Sequence, residues 1–227
     1  MSLNTETKKY LLEYIAAHVA DEEWHVDFFS FINDPILAKR LGEEFISTRY
    51  IYKLLESLGA EEWLLRAQIR IQVFSYASIY EAVLHHLLFS TFKDRSEVTA
   101  LTEFPTKKRI SIPSANMNVL CKYLEHDGKT IIPTYETIGR TDESKVRFDK
   151  KAETAQLLGL IEPWLTEELV EFYEARNAIH IHAEIKKSLD YQIDLSKRAY
   201  LRMQPFQEQL VLKLQDLGLY VPPVKSP

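Results

Sequence analysis

From Glu61 to Phe92 the chain runs without a single glycine or proline, and apolar residues recur through it every three to four positions. Ile69, Val73, Tyr76, Tyr80, Val83, Leu84, Leu87 and Leu88 form the main stripe. That spacing is the period of an α-helix. The apolar positions cover more than half of the helical circumference, so this helix is expected at the centre of a bundle, contacted on several sides. Few folds accommodate such an element, and nearly all of them are helical. The stripe is interrupted by Ser78, Glu81 and His85, which at i, i+3 and i+7 share one side of the helix.

The flanking sequence agrees with a helical architecture. Residues 5 to 19 carry Tyr10, Leu11, Tyr14, Ile15 and Val19 at helical spacing. Asp34-Pro35 pairs a capping residue with a first-turn proline, and the helix it opens is expected to stop at Gly59. Further helices are expected from Ser144 to Leu158, from the capping Thr166 onward, and from about Ser188 to Leu217, where Pro205 should kink or interrupt. Between residues 94 and 145 the periodicity fails, with Pro105, Pro113, Pro133 and the turn pair Asp127-Gly128. Alternation in Arg109-Ile110-Ser111-Ile112 and around Lys129 to Ile132 predicts short strands, a small hairpin at most.

Only 6 glycines occur in 227 residues, which disfavours sandwiches and barrels with frequent tight turns. The expected fold class is therefore all-α, a bundle of about six to eight helices. Its organisation reads as an acidic helical extension (residues 1–60), a bundle (61–217) with an irregular insertion at 94–145, and an extended tail (218–227). The formal charge is −5, which argues against a surface that binds nucleic acid everywhere. The charge is uneven: residues 1–65 hold 6 Lys+Arg against 12 Asp+Glu, whereas residues 105–151 hold 10 against 6. Lys107, Lys108 and Arg109 head the basic stretch and are the candidates for contact with a substrate phosphate chain. The single cysteine, Cys121, permits no internal disulfide, and neither a signal peptide nor a membrane span is evident, so a cytoplasmic location is expected.

One other segment mixes core and polar character. Arg176-Asn177-Ala178-Ile179-His180-Ile181-His182 places an arginine, an asparagine and two histidines beside isoleucines. Burying such groups is costly unless each finds a partner or a ligand. The polar side of the central helix is the natural partner, so Glu81 or His85 is expected within hydrogen-bond reach of Arg176 or Asn177. Histidines two residues apart point to different sides of a helix, so one ion cannot easily take both, and neither a metal nor a cofactor is expected. Trp24, Trp63 and Trp164 stand at helix ends, where they are expected to anchor packing and not to stack on ligands.

The stretch Glu171 to His182 resembles the HEPN domain (higher eukaryotes and prokaryotes nucleotide-binding), whose pattern is an arginine, often followed by asparagine, then four to six residues and a histidine. Ala77 to Leu84 is similar to that family's first core helix with its buried acidic residue. The likeness spans roughly residues 63–217, leaving out the insertion and the first helices. It implies a helical bundle that dimerises, and in many members a ribonuclease of defence or toxin–antitoxin systems that needs no metal. On this likeness Arg176, Asn177 and His182 form the catalytic set, with Glu81, Ser78 and His85 in support. Helix geometry adds His180, because residues four apart are separated by roughly 40° and residues six apart by roughly 120°. A HEPN-like module that binds nucleotide or protein without catalysis, or a scaffold with a structural polar network, is the alternative expectation.

Overall fold

Short polar side chains start the first helices. Asn4 accepts a hydrogen bond from the Thr7 amide at 2.7 Å, Asp21 from Trp24 at 2.8 Å, and Asp34 from Ile36 and Leu37 at 2.9 and 3.1 Å. Each bond satisfies an amide that the first helical turn leaves without a partner. They open α1 (Thr5–His18), α2 (Glu22–Asp27) and α3 (Pro35–Ser57). The structure, a computed structural model, describes residues 4–123, 125–130, 132–178 and 192–222.

The glycine-free run forms α4 (Glu62–His86), which continues into one π-helical turn at Leu87–Thr91. Helices α3, α7 (Phe148–Leu157), α8 (Pro163–Asn177) and α9 (Ile193–Leu201) all pack against it. This is the central position that its broad apolar circumference demanded. Val73, Tyr76, Ala77, Tyr80, Val83 and Leu84 are almost wholly buried. Burying one large apolar side chain contributes roughly 1.5–3 kcal/mol, so this helix supplies much of the cohesion of the core. Tyr80 buries its ring and still satisfies its hydroxyl, donating to the Ala199 carbonyl at 2.7 Å. Gln72 does the same towards the Thr48 carbonyl at 3.0 Å.

The chain divides into two compact units, Met1–Lys93 with Arg147–Pro227, and Asp94–Val146. Helices α1 to α3 thus belong to the same unit as α4. The second unit contains α5 (Ser96–Thr102), β1 (Glu103–Arg109), α6 (Ser114–Tyr123), β2 (Glu125–His126), β3 (Lys129–Thr130) and β4 (Thr134–Arg140). Strands β1 and β4 pair antiparallel from Glu103↔Arg140 to Arg109↔Thr134, and β2 and β3 form a hairpin around Asp127-Gly128. No helix among the described residues is long and apolar enough to cross a membrane.

Several boundaries differ from expectation. The strand expected at Arg109–Ile112 lies one element earlier, at Glu103–Arg109, with Pro105 inside it. Proline is tolerated there because a two-stranded ribbon leaves each strand an outer edge where an amide hydrogen is not needed. Helix α7 begins at Phe148, after a 3₁₀ turn at Glu143–Lys145. Helix α8 begins at Pro163, so Thr166 is not its cap. Thr166 is buried one turn in, its hydroxyl donating to the Glu162 carbonyl at 3.2 Å. The last helix is split at Arg202 into α9 and α10 (Met203–Asp216). Pro205 sits four residues beyond Leu201, where its ring would clash with the Leu201 carbonyl in an unbroken helix.

Candidate functional site

Near the C-terminal end of α8, Tyr173 and Arg176 are three residues apart and share a face, which looks towards α4 and α7. Arg176 Nη1 donates to Glu81 Oε2 at 2.5 Å, so the polar sides of α4 and α8 do meet. Lys151 Nζ of α7 stands 3.6 Å from the other carboxylate oxygen, Oε1, and the Tyr173 hydroxyl donates to that same oxygen at 3.5 Å. One carboxylate is thus shared by two cations and a phenol. Lys151 has a side chain only 2% exposed, against 24% for Arg176 and 25% for Glu81. A buried ammonium is expensive without a counter-charge, and here Glu81 supplies it.

Aromatic rings frame the group. The Arg176 guanidinium carbon lies 5.1 Å from the Tyr173 ring centre and 5.4 Å from that of Phe74. Tyr173 is itself stacked on Phe148 of α7, 4.5 Å between centres and 20° from parallel. These contacts fix the plane of the guanidinium while about a quarter of the side chain stays open to solvent. Next to it, Asn177 lines a pocket of about 230 Å³ together with Arg147, Phe148, Asp149, Tyr173 and Glu174.

A second ionic network holds α8 in place from its other side. Glu168 binds Arg202 (Nη2 to Oε1, 3.0 Å) and Arg198 (3.4 Å), and Glu171 binds Arg198 through two bonds of 2.7 Å. Hydrogen bonding from Arg202 holds the Glu168 carboxyl below its ordinary range. Two-point arginine–carboxylate pairs are directional as well as strong, so the network sets the rotation of α8 against α9 and α10.

Of the residues singled out from sequence, Glu81 and Arg176 are in direct contact and Asn177 lies in the adjoining pocket. Ser78 shares the α4 face but donates its hydroxyl to the Phe74 carbonyl of its own helix at 2.8 Å. The His85 ring packs against Phe89 at 4.9 Å. Lys107, Lys108 and Arg109 stand on β1 of the second unit, where Lys107 faces Glu136 across the ribbon at 3.9 Å. His180 and His182 lie outside the described residues. Lys151, Tyr173, Phe74 and Phe148 are members that sequence reading passed over. The signal for Lys151 was a lysine in the core stripe of α7, flanked by Phe148, Ala152 and Ala155.

The chain matches no family model, no curated protein and no solved structure.

Proposed function

We propose that the end of α8 is the RNA-cleaving site of a HEPN-like endoribonuclease that needs no metal and works as a homodimer in the cytoplasm, of the defence or toxin–antitoxin kind. The observation that carries this reading is the Arg176 cluster. An arginine adjacent to asparagine lies between two rings and is held by a largely buried carboxylate that, among the described residues, also meets a lysine. A guanidinium held in this way can receive an anion such as phosphate. Glu81 does not exhaust a guanidinium that has five N–H donors.

In the proposed reaction the ribose 2′-hydroxyl attacks the adjacent phosphorus and the bond to the 5′-oxygen breaks. The products are a 2′,3′-cyclic phosphate and a 5′-hydroxyl. A histidine takes the 2′ proton and an acid returns one to the departing 5′-oxygen; His182, by the family pattern, or His180 supplies this chemistry. Arg176 stabilises the charge that accumulates on the phosphate oxygens, and Asn177 orients the phosphate or the histidine.

An exposed apolar stripe supports self-association. Trp63, Ile71 and Phe74 of α4 are 76%, 40% and 45% exposed, and Ala67, Arg70, Ile71 and Phe74 line a shallow hollow between them. Phe74 also lies under Arg176, so a partner seated on the stripe would border the cationic pair. The rival reading, a polar network that only holds helices together, draws on the near-complete burial of Lys151.

The test is cleavage of single-stranded RNA by the purified protein in the presence of a chelator. Arg176→Ala and either His182→Ala or His180→Ala should each lower the rate by about 10²–10⁴, the usual contribution of one positioned catalytic group. Circular dichroism should show the fold retained. A wild type that binds RNA but never cuts it favours a binding module. One that does neither, with variants that only melt earlier, leaves a structural network.

A further inference from the structure

A cleft of about 320 Å³ opens in the first unit, between the end of α2 and the junction of α9 with α10. Its floor is Phe45, only 2% exposed. Trp24 and Phe28 rise on one side, their ring centres 6.2 and 5.3 Å from that of Phe45, and Tyr200 rises on the other at 6.3 Å. The three rings are canted 44°, 60° and 49° to that of Phe45, so they line the cleft at different angles and not as a flat stack. Trp24, expected from sequence to anchor packing alone, is nearly half exposed. Among the described residues no lysine or arginine lines the cleft, and the charged one that does is Glu208. The segment from Asp21 to Asp27, which carries Trp24, has four carboxylates and no lysine or arginine. Among the described residues Arg49 stands 4.0 Å from the Tyr200 ring centre, and it is not part of the lining.

We propose that this cleft binds an organic cation of the trimethylammonium class. Aromatic faces present negative charge, and a cleft lined by several rings holds a methylated ammonium by cation–π attraction where it excludes strongly hydrated ions. The acidic rim adds long-range attraction for a cation and repels phosphate-bearing ligands, which turns a stacked nucleotide away from the same rings. The proposal stands apart from the nuclease reading, since none of these residues belongs to the Arg176 cluster.

The chain has three methionines, Met1, Met117 and Met203, and Met203 lines the cleft. Methyl-labelled methionine therefore gives a nuclear magnetic resonance reporter on the site, with Met117 of the second unit as internal control. Titration with choline, and separately with a trimethyl-lysine amide, should move the Met203 signal saturably and leave Met117 still. The stronger of the two identifies a free metabolite or a modified side chain as the source of the head group. The neutral isostere 3,3-dimethylbutanol should need about ten-fold more ligand, because it fills the cleft without the charge. Trp24→Leu, which keeps apolar bulk but removes one ring face, and Glu208→Gln on the open rim should each weaken binding by about three-fold or more. Equal response to cation and isostere would reduce the cleft to an apolar hollow and overturn the proposal. So would a still Met203 signal, or adenosine binding more tightly than either cation.

Discussion

Lys151, with 2% of its side chain exposed, is kept in the core by a carboxylate 3.6 Å away that Arg176 also binds. Removing that carboxylate takes from both cations the counter-charge they share. Glu81→Ala is therefore expected to cost about 1–3 kcal/mol, the range for leaving a buried partner unpaired. It should lower the melting temperature by several degrees, whereas Glu81→Gln, which still accepts hydrogen bonds, should cost less. Equal melting of the alanine variant and the wild type would show that the cluster contributes nothing to folding. A second residue makes stability depend on pH. His25 is 2% exposed, with Nδ1 2.7 Å from the Asp21 carbonyl and its ring against Trp24 and Phe45. Burial lowers its pKa from the ordinary 6.5, and burial lowers that of His86 likewise. Just below the ordinary value the unfolded chain binds a proton that the folded chain refuses, so stability is full above that pH and falls as the solution is acidified. The melting temperature should drop between about pH 7.5 and 5.5. His25→Asn, which keeps a donor and cannot titrate, should flatten part of the slope; an unchanged slope in the variant would clear His25 of the effect.

At the scale of helices and strands, most of the architecture was legible because local chemistry and global packing pointed the same way. Asp34-Pro35 starts α3 as its capping residue requires, and Gly59 and Gly159 end α3 and α7 in the left-handed conformation (φ +59° and +67°) that side chains resist. The apolar circumference of α4 predicted its neighbours on several sides. What escaped were features decided by competition between adjacent signals. At the start of α8, Pro163 outranked Thr166, because proline is already set in the first helical turn and the threonine was drawn into the core. In the ribbon, strand identity was settled by cross-strand partners that no local window contains: Phe104 lies over Gly139, and Glu103 meets Arg140 at 2.7 Å. The candidate site was half legible for a similar reason. Glu81 and Arg176 stood out as charges set among apolar residues. Lys151, Tyr173 and Phe148 read as ordinary members of their helices until three helices converged. The ion pairs of Glu168 and Glu171 with Arg198 and Arg202, which orient α8, join residues 27 to 34 positions apart and left no local mark.

For the molecule as a whole, the two units differ sharply in how much apolar surface they bury. Nearly all of the core belongs to the first unit, and none of the described residues from 103 to 145 is buried. The ribbon closes on itself: Arg109 and Thr134 are its last paired residues, with one further bond from the Ile110 amide to the Pro133 carbonyl. The described residues between Ile110 and Pro133 therefore follow the end of a ladder whose other end is tied by the Thr141 amide to the Thr102 carbonyl at 2.9 Å. Replacing residues 110–133 by Asn-Gly would join Arg109 to Thr134 through a two-residue turn of the kind whose twist suits an antiparallel pair. A lone two-stranded ribbon is marginal in water, so the shortened ribbon adds and removes little free energy of its own. The shortened chain should melt within about 2 °C of the full one, as a change well under 1 kcal/mol implies for a protein of this size. It should also keep its helical circular dichroism. Lys107, Lys108 and Arg109 remain in it, so RNA affinity measured on the shortened chain and on its Lys107→Ala, Lys108→Ala, Arg109→Ala derivative separates the basic strand from the tip. Loss of cooperative unfolding on removing the tip would mean that this segment, none of whose described residues is buried, helps hold the helical core. Unchanged melting with RNA affinity lost only in the triple variant would assign the strand to substrate contact.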